Sequence, residues 1–153
     1  MDDGGCMQKV PLSNLKETWH KINVLFELYA KSLDISFVSI LVLWVLRNPD
    51  VVYTQKDICT KLGLPKQLVN AIIKSFWTSG YVELKEAKDR RNKEIIVTEK
   101  GHNFTEKVLK PLESAEVCVW DTLSPQETAL LASALGKYVN ALEDALNIEG
   151  ELK

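Results

Sequence analysis

At 153 residues, 46% apolar and 26% charged, the chain is sized for one globular domain or two small ones, and collagen, mucin-like stalks and wholesale disorder are excluded. The net charge of −2 taken alone argues against a nucleic-acid partner. It hides an asymmetry: Thr54 to Lys110 carries twelve Lys/Arg against seven Asp/Glu, a local +5, while the remainder carries seven against fourteen, or −7. A basic middle between acidic ends is the pattern of a binding face on a solubilising body.

The spacing predicts a first helix over 12–33, with Leu15, Trp19, Ile22, Phe26, Tyr29 and Leu33 recurring every three or four residues and Ser13 or Asn14 as its cap. Leu25 and Leu28 widen its apolar face, so it is expected to meet two partners. A second helix, 35–47, capped by Asp34 or Ser36, is apolar nearly all round and is expected to be buried on most sides. Its run Phe37 to Leu46, interrupted by Ser39, is too short to span a bilayer. Asn48-Pro49-Asp50 ends it, and a short β-type stretch, 51–53, follows.

Thr54 caps a third helix over 55–62, with Asp57 placed for a capping box and Gly63 for a left-handed stop. Pro65 is expected to open a fourth helix, 65–79, from its first position. Val69, Ile72, Ile73 and Phe76 form its core stripe, and Gly80 ends it. Tyr81 to Leu84 and Glu94 to Val97 read as strands of a hairpin whose tip, 85–93, holds five cations against two anions. Thr98 caps a fifth helix, with Gly101 in its first turn and a kink expected at Pro111. Ser124-Pro125-Gln126-Glu127 opens a sixth helix that runs to about Leu146.

Helix, glycine turn, helix, hairpin is the order of a winged helix-turn-helix, whose second helix fits the DNA major groove. The expected fold is therefore mainly α: about six helices plus a β-hairpin wing, 82–97. On the fourth helix Lys66, Gln67 and Asn70 point away from the apolar stripe. Gln and Asn suit adenine, and Lys suits guanine or phosphate. Lys74 continues that face toward the backbone. Thr54 and Gln55 are candidate phosphate ligands at a helix start. In the wing, Lys88, Arg90, Arg91 and Lys93 supply attraction to the duplex, with Arg90 the candidate for a narrow minor groove.

Several stretches also resemble the MarR (multiple antibiotic resistance regulator) family. They are Thr54-Gln55-Lys56-Asp57-Ile58, Leu62-Gly63-Leu64-Pro65-Lys66-Gln67, Ile72-Ile73-Lys74, Gly80-Tyr81-Val82, the wing Asp89-Arg90-Arg91 and Val97-Thr98-Glu99-Lys100-Gly101. The resemblance covers about 12–147. It implies a homodimeric regulator of transcription on double-stranded DNA, with 1–33 and 111–153 as a helical dimerisation region and 34–110 as the winged helix. Leu68, Ala71 and Glu94 stand where the family often carries polar or basic residues, which implies a less basic reading face. The apolar faces of the first and sixth helices, more than a monomer of this length can cover, agree with a dimer. The resemblance also implies a small aromatic effector, for which Trp19, His20, Phe26, Phe37 and Trp44 are the candidate lining residues. An aromatic stripe at helical spacing is also what a plain core looks like.

Cys6, Cys59 and Cys118 show no CxxC spacing, and His20 and His102 are the only histidines. No disulfide framework, zinc site or other cofactor is expected. Cys59 is expected to be buried, and thiol sensing is disfavoured by the acidic surroundings of Cys6. Met1 to Gly5 carry no signal-peptide pattern, and a cytoplasmic location without membrane contact is the expectation. No phosphate loop, G-x-S-x-G elbow or H-E-x-x-H motif points to an enzyme. The alternative to a DNA reader is a winged-helix adaptor that binds protein.

Overall fold

The computed structural model describes residues 10–86 and 93–147. The element order is α1 (Leu12–Ser32), α2 (Phe37–Leu46), β1 (Tyr53–Thr54), α3 (Gln55–Leu62), α4 (Lys66–Thr78), β2 (Val82–Glu86), β3 (Lys93–Val97), α5 (Glu99–Trp120) and α6 (Pro125–Leu146). The chain divides into two compact units, Met1–Ile40 and Leu41–Lys153, and α2 straddles the boundary in sequence.

In the first unit, α1 buries only Ala30, and Trp19, Leu25 and Leu28 are exposed. Phe26 and Phe37 stack with ring centroids 5.1 Å apart. The start of α1 departs from the sequence reading. Its cap is Pro11, without a side-chain hydrogen bond, because the helix already begins at Leu12 and so takes Ser13 and Asn14 into its first turn. For α2 it is Ser36 that caps: its Oγ accepts from the Ser39 amide at 3.1 Å, while Asp34 adopts a left-handed φ of 56° in the preceding turn.

The second unit packs α3, α4 and the first half of α5 around a three-stranded antiparallel sheet of order β1-β3-β2. Its core holds Val42, Leu43, Val45, Leu46, Ile58, Val69, Ile72, Ile73, Phe76, Val82, Ile95, Val108 and Leu109. Trp44, by contrast, is 57% exposed, so α2 has one uncovered side despite its uniformly apolar sequence. Cys59 is half-buried rather than buried, since α3 turns only Ile58 fully inward. Both capping boxes form, Thr54 with Asp57 and Ser124 with Glu127. Pro65 is the cap of α4 rather than its first helical residue, with an extended ψ of 137°. The helix α5 is continuous through Pro111 and ends at Trp120.

The hairpin strands are longer than their β-branched cores suggest. The register pairs Val82 with Val97 and extends to Lys85 opposite Glu94 and Glu86 opposite Lys93. Lys85, Glu86 and Lys93 therefore belong to strands, not to the tip. Opposite charges across the ladder favour this extension.

None of the residues of α6 is buried. Leu130, Leu131, Leu135, Tyr138, Val139, Leu142 and Leu146 form one exposed apolar stripe, and Val117, Val119 and Trp120 at the end of α5 are exposed too. Most of a helix's stability in a protein comes from packing its apolar face, so a stripe of this kind calls for a partner surface.

Candidate nucleic-acid interface

The candidate face is made by α4. Val69, Ile72, Ile73 and Phe76 turn inward, and the 3.6-residue period then leaves the other side to solvent. Lys66, Gln67, Asn70 and Lys74 are all exposed there, joined by Leu68 and Ala71. Gln55, at the start of α3, reaches this face: its Nε2 donates to Asn70 Oδ1 at 3.4 Å. Sequence spacing did not pair these two residues, because they lie on different helices. The contact leaves the Asn70 amide N–H groups to point elsewhere.

Thr54 occupies a different position. Its amide and hydroxyl both donate to Asp57 Oδ2, at 2.7 and 2.8 Å, and its hydroxyl accepts from the Asp57 amide at 3.3 Å. These bonds hold the Asp57 carboxyl below its usual pKa, the backbone bond contributing most. The first turn of α3 thus carries its own anion.

The orientation of α4 is fixed at its far end. Gly80 takes a φ of 74°, its amide donates to the Trp77 carbonyl at 2.9 Å, and the Tyr81 amide donates to the Phe76 carbonyl at 2.8 Å. This is a Schellman stop, and the Phe76 and Tyr81 rings supply its apolar contact in an edge arrangement at 6.3 Å. The first turn of α5 docks onto this stop. Thr98 Oγ1 donates to the Gly80 carbonyl at 2.8 Å and accepts from the Gly101 amide at 3.0 Å. Lys100 Nζ donates to the Ser79 carbonyl at 2.8 Å and lies over the Tyr81 ring. Tyr81 stacks on Phe104 at 4.1 Å. A Cβ on Gly101 would fall 1.9 Å from the Tyr81 carbonyl oxygen, so only glycine fits. Of this joint the sequence suggests the Gly80 stop, the Thr98 cap and the Gly101 position, but not the contacts that join them.

Residues 34–92 match the MarR family model. The fold of the chain is likewise similar to solved MarR-family structures. A MarR family regulator from Neisseria meningitidis is 24% identical, with a TM-score of 0.72, over 91% of this chain and 98% of its own. MepR of Staphylococcus aureus in complex with DNA is 18% identical, with a TM-score of 0.72, over 88% and 99%. A MarR family regulator from Listeria monocytogenes complexed with a 26mer DNA is 18% identical, with a TM-score of 0.67, over 90% and 92%. No curated protein matches the sequence.

Lys93 is exposed at the base of the β2–β3 hairpin, opposite Glu86. The other wing candidates, Lys88, Arg90 and Arg91, lie outside the described residues, as does Cys6. Four of the five effector candidates lie in the first unit. Phe26 and Phe37 stack on each other, Trp19 and His20 are exposed on α1, and Trp44 belongs to the second unit. Of the five, only His20 lines the cleft of about 620 Å³ in the first unit, beside Asn23, Glu27, Lys31 and Asp34. Cys118 is exposed in the last turn of α5. Among the described residues no group of three His, Cys, Asp or Glu is arranged to hold a metal, and no single helix is long and apolar enough to cross a membrane.

Proposed function

We propose that the protein is a homodimeric transcriptional regulator that binds double-stranded DNA, with α4 in the major groove and the wing, 82–97, alongside. The observation that carries this reading is the two-sidedness of α4: four apolar residues inward, and Lys66, Gln67, Asn70 and Lys74 together outward. Gln67 and Asn70 offer base-edge hydrogen bonds, Lys66 and Lys74 offer charge to guanine or phosphate, and Arg90 and Arg91 add sequence-independent attraction from the wing. The DNA complexes of the Staphylococcus and Listeria relatives support the assignment. Thr54 and Gln55 stay candidate phosphate ligands at the start of α3, where the Thr54 hydroxyl is also bonded to Asp57 as the helix cap.

Residues 1–33 and 111–153 form the dimer region in this reading, and 34–110 the DNA-reading unit. A two-fold dimer calls for a palindromic operator, with half-sites about one helical turn apart or a multiple of it. Repression in the cytoplasm and release by a small aromatic acid are the regulatory form the reading takes, with Trp19 and His20 the exposed effector candidates on α1.

The test is binding to duplex DNA across a salt series, with mass by light scattering. A dimer whose log affinity falls steeply with log salt is expected. Lys74→Ala should weaken all duplexes alike and lower the slope by about 1. Gln67→Ala should relax sequence preference as well, by about 1–3 kcal/mol of discrimination. A dimer without affinity for any duplex at low salt would transfer the assignment to a protein-binding adaptor.

A further inference from the structure

The ladder of α5 has a gap of its own making. Pro111 lies inside the helix, has no N–H to give the Lys107 carbonyl, and crowds that carbonyl with its ring. The gap falls where α5 passes from its buried half, with Gly101, Thr105, Val108 and Leu109, to an exposed half that ends at Trp120.

Arg47, immediately after α2, reaches across this point. Its Nε donates to Glu106 Oε1 at 2.9 Å and its Nη2 to Glu106 Oε2 at 3.2 Å, while its Nη1 donates to Glu113 Oε1. Glu106 precedes the proline and Glu113 follows it. Their spacing of seven residues is two turns, so both carboxylates stand on one side of the helix. A planar guanidinium can hold one carboxylate with two N–H groups and a second with another, which an ammonium cannot do with the same fixed geometry. The Arg47 side chain is 34% exposed and the carboxylates are 51% and 42% exposed, so the attraction is partly screened. Its effect is therefore local to the gap and not a main source of stability. Without Arg47, the two carboxylates are left as like charges on the same helix face.

We propose that Arg47 is a positioning residue that braces α5 across Pro111, and that loss of its bond to Glu113 lets the exposed half of α5 swing relative to the winged helix. The brace itself does not depend on DNA binding. Its consequence for regulation, a change in how a dimer presents its two reading heads, rests on the function proposed above.

Hydrogen exchange on the full chain without DNA tests the brace. Arg47→Gln and Glu113→Gln should each speed exchange of the amides of residues 112–115 about two- to fivefold, with α3 and α4 unchanged. The double variant should be no faster than either single one, and Arg47→Lys should fall between wild type and Arg47→Gln. Unchanged rates at 112–115 in both single variants would overturn the proposal. So would a rise that runs in parallel through α3 and α4, since that is general loosening. Because no DNA is present, this outcome and that of the salt series stand independently.

Discussion

At the residue scale, the Asp57 carboxylate serves the start of α3 by accepting from the Thr54 amide and hydroxyl. Its pKa in the folded chain is lowered from that of an ordinary aspartate, so folding favours the ionised form. The corresponding stabilisation is fully present above the unfolded pKa of about 3.9 and is lost as pH falls through the lower folded value. Glu127 at the start of α6 is shifted in the same direction by Ser124. Urea unfolding of wild type and Asp57→Asn should therefore differ most near neutral pH and converge on acidification. Both boxes were legible in the sequence because a cap is a local rule, written in residues three apart. Arg47 was not legible. Its partners lie 59 and 66 residues away, and no periodicity encodes a long-range ion pair.

At the element scale, the inward stripe of α4 is legible for the same reason as the caps: one helix face repeats every three or four residues. The outward side, and with it most of the candidate reading face, followed by subtraction. The bond from Gln55 to Asn70 and the stack of Tyr81 on Phe104 had to await the packing of separate elements. The strand lengths were also underread, because Lys85, Glu86 and Lys93 look like loop residues until each is set opposite its partner. Packing at the joint between α4 and α5 makes a firm prediction. Gly101→Ala forces a methyl group onto the Tyr81 carbonyl, and backbone cannot yield as a flexible side chain would. A loss of about 1–3 kcal/mol is expected in denaturant unfolding. Gly136→Ala, where an added Cβ meets nothing within 4 Å, is the control and should be neutral or slightly stabilising.

At the scale of the whole molecule, the apolar stripe of α6 is the surface that would carry the proposed dimer. Burying a Leu or Val side chain contributes about 1.5–3 kcal/mol, so the six Leu and Val positions of the stripe amount to on the order of 10 kcal/mol per chain. That is comparable to the full stability of a small domain. Leu135→Asp with Leu142→Asp should yield a monomer by light scattering and should remove the concentration dependence of Tm. If the proposed dimer is the DNA-binding form, affinity for a two-half-site duplex should fall with it. The joint at the start of α5 then acquires a mechanical meaning. Pro111 stands twelve positions after Glu99. At 1.5 Å per residue this makes a lever arm of about 18 Å. With α4 bolted to one end, a swing of roughly 10° about the other carries α4 about 3 Å, close to the ~3.4 Å rise of one base-pair step along the DNA that the proposed function has it read.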